Sequence, residues 1–178
     1  MIIAISGKSG CGNTTTSRLL AERLGFRLIN YTFRNMAVEL GISFEELLER
    51  ANADPSFDRR LDDTQVEMAR REDCVVGSRL AIWLLRDEAF TVYLAASPEV
   101  RATRIHGREG GSLEEKTAFT RKRDSEDKRR YRELYGIDMD DYSFVNAVID
   151  VEKPKPEEIV ELIIDRMKAS GLLAGKAR

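Results

Sequence analysis

Residues 7–16, GKSGCGNTTT, are the stretch of the chain whose residue types and spacing most directly suggest chemistry. Gly7, Gly12 and Thr14 satisfy the spacing G-x-x-x-x-G-x-[ST], immediately after an apolar run typical of a buried strand. Glycines let the backbone curl until successive N–H groups point inward, and a following helix adds its positive end. The sequence therefore predicts a phosphate-binding loop. Its predicted binding residues are Gly7, Lys8, Ser9, Gly10, Cys11, Gly12, Asn13, Thr14 and Thr15.

The hydroxyl groups and the charge of this loop lead to further predictions. Thr14 is expected to place its hydroxyl on Mg²⁺, and Thr15 can contact a phosphate oxygen. Asn13 stands where the motif usually carries a lysine, and an amide donates hydrogen bonds without bringing positive charge. Phosphate charge must then be met by cations elsewhere. A strand-to-helix turn without a ligand is the alternative, and three glycines with three consecutive threonines argue against it.

A basic segment, residues 101–132, is the first candidate source of that charge. It contains eight arginines and three lysines against six acids, in a chain whose net charge is −2. On a helix, Arg123, Asp127 and Arg130 fall at i, i+4 and i+7 and form one stripe. Guanidinium groups bind phosphate through paired donors and stay charged. We expect the stripe to face the phosphates, although a solvated, salt-bridged helical hairpin is the alternative.

Two more arginines follow predicted strands. Arg34 comes just after the second apolar run, and Arg79 comes directly after the third. Loops at the carboxyl ends of parallel strands line the ligand crevice of an α/β sheet. Both residues are therefore candidates for binding the phosphate of an acceptor. The alternative for each is a surface ion pair.

The elements that must position these residues are an alternation of strands and helices. Helical patterns cover 98–106 and 112–135 and begin again at Pro156, and residues 107–111 form either a hinge or a surface turn. Alternation of this kind predicts one α/β domain with a mainly parallel sheet and right-handed crossovers. The predicted strands are 1–6, 26–30, 74–78, 90–96 and 146–151.

Composition excludes several classes of function. A sequence pI of about 5.7 is not that of a general nucleic-acid binder, and no apolar run reaches the ~20 residues that span a bilayer. Two cysteines without metal-type spacing favour a reduced, cytoplasmic protein, and a monomer is the default expectation. Cys11 is a hypothetical reactive thiol, because a helix N-terminus lowers the pKa of a thiol.

With these pieces in place, the chain resembles the cytidylate kinases, close to their short archaeal-type branch. The resemblance covers nearly the whole chain, and the RDxxDxxR pattern and the YGID segment are its most specific marks. The matching stretches are GKSGCGNTTT (7–16), YTFRN (31–35), DPSFDRRLDDTQVEMARR (54–71), CVVGSRLA (74–81), SPEVRATRIHGRE (97–109) and RDSEDKRRYRELYGID (123–138).

The resemblance implies a three-layer P-loop kinase fold with a five-stranded parallel sheet in the order 2-3-1-4-5. It also implies a helical acceptor-binding insert near 35–70 and a lid near 105–125. Two positions depart from the family pattern: Asn13 replaces the lysine of the bacterial branch, and Ala95 replaces an aspartate at the end of the fourth strand. The arginines implied to contact the acceptor phosphate or the transferring phosphate are Arg34, Arg79, Arg123 and Arg130, and Asp127 is implied to hold the acceptor nucleotide.

The predicted function is transfer of the γ-phosphoryl group of ATP to CMP or dCMP, with Mg²⁺, and without a nucleic-acid or membrane partner. Arg79, Arg123 and Arg130 are the predicted catalytic residues. A P-loop kinase for another acceptor and a non-catalytic nucleotide-binding module are the alternatives. An RNA-binding function would depend on residues 101–132 alone. The sequence leaves the choice between CMP and dCMP open.

Overall fold

Five parallel strands form a single sheet in the order β2-β3-β1-β4-β5 in the computed structural model, which describes residues 1–173. Each predicted apolar run contributes one strand, so the predicted fold class, parallel sheet and strand order are confirmed. The strands are β1 (Ile2–Gly7), β2 (Arg27–Ile29), β3 (Cys74–Gly77), β4 (Ala89–Ala95) and β5 (Ala147–Asp150).

Helices follow every strand, as the sequence pattern predicts. The helix predicted over 98–106 continues through Gly107, and the chain breaks at Gly110 and Gly111, whose φ angles are +71° and +83°. None of the helices in residues 1–173 is long and apolar enough to cross a membrane. The helices are α1 (Asn13–Leu24), α2 (Phe33–Leu40), α3 (Phe44–Ala53), α4 (Ser56–Ala69), α5 (Ala81–Leu84), α6 (Pro98–Glu109), α7 (Leu113–Tyr135) and α8 (Pro156–Ala169).

The central strand β1 shows why the sheet has helices on both faces. Ile3 and Ile5 are fully buried in a core that α1 and α8 complete, whereas Ala4 packs into the opposite core beneath α4 and α5. A parallel sheet covered on both faces requires strands that are apolar on both sides, and this explains the continuous apolar runs. Gly7 lies level with Leu94 of β4, and Ile5 lies level with Gly77 of β3. The loops that follow β1 and β3 therefore emerge at the same edge of the sheet.

Helices α2, α3 and α4 lie between β2 and β3 and have a small apolar core of their own, which includes Met36 and Leu47. Helix α4 is joined to α7 by an ion pair between Asp58 and Arg130 and by a hydrogen bond from the Tyr135 hydroxyl to Asp62 (2.6 Å). This segment occupies the predicted acceptor-binding insert, and its role remains a prediction.

Candidate active site

The loop after β1 has the tight backbone that its glycines allow. Gly10 and Gly12 have φ angles of +89° and +94°, a region that glycine adopts readily and other residues rarely adopt. A Cβ on Gly10 would lie 2.8 Å from the carbonyl oxygen of Arg101, and one on Gly7 would lie 2.7 Å from that of Leu94. Helix α1 begins directly after Gly12 without a side-chain cap. Its first N–H groups are therefore available to an anion.

The side chain of Asn13 makes a hydrogen bond within the phosphate loop. Its Nδ2 donates a hydrogen bond to the backbone carbonyl of Gly7 at 2.7 Å. Its Oδ1 is buried and has no hydrogen-bond partner among residues 1–173. The side chain closes the loop without adding charge, so it does not replace the cation that a lysine would bring.

Lys8 lines the cavity, but its charge is already paired with a carboxylate. Its Nζ lies 2.9 Å from Oδ1 of Asp140, in the segment that follows α7, and Nζ of Lys128 donates to the other oxygen of Asp140 at 2.5 Å. Hydrogen bonds from Lys128 and Lys8 hold the pKa of the Asp140 carboxyl below its ordinary value. The ammonium group of Lys8 thus joins the phosphate loop to the segment that follows α7.

Arg79 connects the loop after β3 with both the phosphate loop and α7. Its Nη2 donates to Oγ of Ser9 at 2.9 Å, and its Nη1 pairs with Asp127. Burial raises the pKa of Asp127, and the nearby charges of Arg79 and Arg123 oppose that rise. The structure therefore brings together two residues that lie 48 positions apart and that the sequence assigned to one site.

Arg123 differs from the other two arginines predicted to be catalytic. Arg130 pairs with Asp58, and Arg79 pairs with Asp127, whereas Arg123 has no ion pair among the residues described. Its guanidinium lies 5.8 Å from the ring centroid of Phe119 and faces a cavity. Burial and the neighbouring charge of Arg79 lower the pKa of Arg123. A bound anion would relieve this unpaired charge.

The cavity that Arg123 faces has a volume of about 590 Å³ and opens onto the phosphate loop, including Thr14 and Thr15. A second cavity of about 500 Å³ adjoins it and reaches Asp58 and Arg130. We call the two together the cleft. Residues that line both parts are Phe33, Leu61, Asp62, Arg79, Phe119, Arg123 and Tyr131.

Besides the buried Cys11, one predicted site residue lines neither part of the cleft, and that residue is Arg34. It is exposed, and its guanidinium stacks on the ring of Phe44 at 4.1 Å from the centroid. Its neighbour Phe33 lines the cleft instead. Contact between Arg34 and a nucleotide stays a prediction, and it requires the side chain to leave Phe44.

Two further arginines, Arg101 and Arg104, donate hydrogen bonds to carbonyl oxygens of the phosphate loop, and Arg104 also lines the larger cavity. Arg101 is 2% exposed, and its Nη1 donates to the carbonyl of Ser9 at 3.2 Å. Arg104 donates to the carbonyl of Gly10 at 3.5 Å and to that of Val151. The sequence signal for Arg101 is the basic excess of 101–132, and Arg104 also falls at i, i+4 from Arg108, but neither signal separates bracing residues from ligand-binding ones.

The thiol of Cys11 does not match the hypothesis of a reactive cysteine. Cys11 is 2% exposed, and burial raises the pKa of its thiol, although the charges of Arg101 and Arg104 act in the opposite direction. A buried thiol with a raised pKa is rarely ionised at neutral pH. The hypothesis of a low pKa is therefore wrong.

The residues of the loop fit a magnesium ion that takes most of its ligands from a nucleotide. Thr14 is exposed, lines the cleft and makes no hydrogen bond through its hydroxyl within residues 1–173. In the same part of the chain there is no group of three or more His, Cys, Asp or Glu residues that could hold a metal by itself. Mg²⁺ commonly binds through few protein oxygens together with substrate phosphates and water.

A parallel sheet in this order, with a phosphate loop at its carboxyl edge and arginines around the adjoining cleft, defines a P-loop kinase. Residues 2–153 match the cytidylate kinase-like family. Cytidylate kinase 2 of Borreliella burgdorferi is 44% identical over 176 residues, which cover 97% of this chain and 98% of that relative. Cytidylate kinase of Archaeoglobus fulgidus is 39% identical, with 92% and 93% of the two chains covered.

The chain belongs to the cytidylate kinase-like family. This finding confirms the resemblance drawn from the sequence, and it confirms the prediction of an enzyme of the nucleoside monophosphate kinase type. Among solved structures, shikimate kinase from Acinetobacter baumannii in complex with shikimate superposes with a TM-score of 0.66. The two chains are 19% identical, and 96% of this chain and 94% of that one are covered. At that identity the likeness supports the fold alone.

Proposed function

We propose that the protein transfers the γ-phosphoryl group of ATP to CMP or dCMP, giving the nucleoside diphosphate and ADP. The observation that carries the proposal is the unpaired, half-buried guanidinium of Arg123, which faces the cleft between the phosphate loop and the insert. The relatives named cytidylate kinase support the choice of acceptor.

The donor phosphates would lie on the loop of residues 7–15 and on the N-terminus of α1. Backbone N–H groups and the helix dipole favour anions there without requiring a lysine. Thr14 is the residue that would hold Mg²⁺, and the ion would neutralise charge on the donor phosphates. Arg101 and Arg104 would keep the loop in shape through its carbonyl oxygens.

The acceptor phosphate would lie against Arg79, Arg123 and Arg130. An oxygen of the acceptor phosphate forms the new bond to the γ-phosphorus as the bond to the bridging oxygen of ADP breaks. The attacking oxygen is already anionic, so no strong general base is needed. Catalysis then depends on positioning and on cations aimed at the charge of the moving phosphoryl group. Arg79 and Arg130 would exchange Asp127 and Asp58 for phosphate oxygens.

An ADP-release assay with CMP, dCMP, UMP and AMP tests the proposal, first on the wild type and then on Arg123→Ala. Loss of contacts worth ~3–4 kcal/mol in the transition state lowers the rate by ~10²–10³. Arg121→Ala is the matched control, because Arg121 is exposed on the same helix. Equal rates for Arg123→Ala and Arg121→Ala would contradict the proposal, as would a wild type that turns over none of the four nucleotides.

A kinase for an acceptor without a phosphate is the second candidate, and the placement of Arg34 outside the cleft favours it. Such an acceptor needs fewer arginines than a nucleoside monophosphate. Adding nucleosides and coenzyme precursors to the same panel separates the two. Turnover of one of these compounds, with none for CMP, would favour the second candidate.

A further inference from the structure

Helix α4 presents two buried polar side chains to the cleft, one helical turn apart. Asp62 is 7% exposed and Gln65 is 6% exposed, and both line the cavity that opens onto the phosphate loop. Residues at i and i+3 lie on the same face of a helix. Buried polar groups are costly unless they are hydrogen-bonded, so the partners of these two side chains are informative.

Each of the two side chains has one oxygen left for a ligand. Oδ2 of Asp62 accepts a hydrogen bond from the Tyr135 hydroxyl at 2.6 Å, whereas Oδ1 makes none with any described residue. Nε2 of Gln65 donates to the carbonyl of Tyr31 at 2.7 Å. That carbonyl can only accept, so the orientation of the amide is fixed, and Oε1 makes no hydrogen bond within residues 1–173. Two acceptor oxygens are therefore available in the cleft.

The side chains that carry these oxygens line the same cavity as the arginines. The phosphate loop follows β1, Arg79 follows the neighbouring β3, and α4 belongs to the insert between β2 and β3. The larger cavity is lined by the phosphate loop, by the cations Arg79 and Arg123, and by Asp62 and Gln65. Apolar side chains of Phe33, Leu61 and Phe119 line the same space.

The cations, apolar side chains and acceptor oxygens of this cleft match the parts of a nucleoside monophosphate. The arginines can bind its phosphate, and the apolar side chains can pack against its rings. The two oxygens can accept hydrogen bonds from the edge of its base. Cytosine presents an amino group at C4, which donates hydrogen bonds, whereas uracil presents a carbonyl oxygen there. A carbonyl facing two acceptor oxygens would leave all three without a donor, and such mismatches are strongly rejected.

We propose that Asp62 and Gln65 read the base of the acceptor nucleotide and select cytosine over uracil through its exocyclic amino group. This inference rests on the proposed function, because it assumes that a nucleoside monophosphate occupies the cleft. Burial raises the pKa of the Asp62 carboxyl to about 6, so the carboxyl is mainly ionised above that pH. An ionised carboxyl offers acceptors only, as the selection requires.

The test compares kcat/KM for CMP and UMP in the wild type and in Asp62→Asn. The asparagine keeps the size of the side chain but can turn its amide to donate to a carbonyl oxygen. We expect the CMP-to-UMP ratio to fall about 10- to 100-fold, the range for a hydrogen bond to a charged group, with the KM for ATP unchanged. Asp63→Asn, at the exposed neighbouring position, is the matched control and should leave the ratio unchanged.

Gln65→Met provides a second variant, which removes the amide while keeping the length of the side chain, and it should also lower the ratio. Circular dichroism verifies that each variant is folded, and where turnover is lost, calorimetric binding of CMP and UMP gives the ratio instead. An unchanged ratio in folded Asp62→Asn overturns this inference and leaves the proposed function intact. A wild type that phosphorylates neither CMP nor dCMP overturns the proposed function itself.

Discussion

The guanidinium of Arg101 donates to both carboxylate oxygens of Asp124, at 3.1 and 2.6 Å, and also to the backbone carbonyl of Ser9. Arg101 is 2% exposed, so this paired contact between α6 and α7 is protected from water. Both helices contribute residues to the predicted lid, and Ser9 belongs to the phosphate loop. One buried side chain therefore fixes the position of the loop relative to both helices.

Replacing Arg101 should affect stability and nucleotide binding together. Removing one partner of a buried ion pair leaves an uncompensated charge, so we expect Arg101→Ala to lower the free energy of unfolding by about 3–5 kcal/mol. The KM for ATP should rise, because the carbonyl of Ser9 loses its donor. Urea unfolding and initial rates measure the two effects. Arg129→Ala breaks an exposed pair with Glu133 and should change the unfolding free energy by less than about 1 kcal/mol.

A matched pair of glycine variants tests the close packing of Gly10 in the phosphate loop against the backbone of Arg101. In Gly10→Ala the new methyl group would occupy a left-handed position and lie 2.8 Å from the carbonyl oxygen of Arg101. We expect a loss of about 2–5 kcal/mol in unfolding free energy together with weakened ATP binding. Gly25 has a similar φ of +67° but open space around it, so Gly25→Ala should cost only about 1–2 kcal/mol. Equal losses in the two variants would show that the contact with Arg101 is unimportant.

The carboxyl of Asp62 should make stability depend on pH. Burial, with the charges of Asp58 and Asp63, raises its pKa from 3.8 to about 6, against the opposing effects of Tyr135 and Arg130. The folded state therefore binds the proton more tightly than the unfolded state. This contribution is complete below about pH 4 and is lost as the pH rises through about 6.

The variant Asp62→Asn has no carboxyl to ionise. The difference between its unfolding free energy and that of the wild type should therefore increase, in favour of the variant, from pH 4 to pH 7.5. The gain should be about 2–3 kcal/mol, from a pKa shift of about two. Denaturant unfolding at several pH values measures it, with Asp63→Asn as the control. A difference between variant and wild type that is independent of pH would mean that folding does not raise the pKa of the Asp62 carboxyl.

The strands were predictable because their signal is local. Strands buried on both faces must be apolar throughout, and Ile3, Ala4 and Ile5 illustrate this on β1. The end of α6 was less predictable, because a glycine can either remain in a helix at a cost of about 1 kcal/mol or end it. Gly107 remains in the helix, and Gly110 with Gly111 ends it.

The residues of the candidate site also divide into those that a local sequence signal predicted and those that it did not. A contiguous motif revealed the phosphate loop, and helical periodicity placed Arg123, Asp127 and Arg130 on one helix. Its position after a predicted strand grouped Arg34 with them, yet its side chain stacks on Phe44 outside the cleft. Asp62 and Gln65 were not found, because a carboxyl and an amide in a polar helix have no local signature of burial.

By itself, the sequence determined the strand pattern, the strand-to-helix turn of glycines at 7–12, and the need for cations other than a lysine at position 13. Tertiary structure decided which arginine has a carboxylate partner and which lacks one, since Arg79 meets Asp127 and Arg130 meets Asp58 across long separations in the chain. It also decided which polar groups are buried. Periodicity and glycine content are properties of neighbouring residues, whereas charge pairing and burial depend on the packing of distant elements.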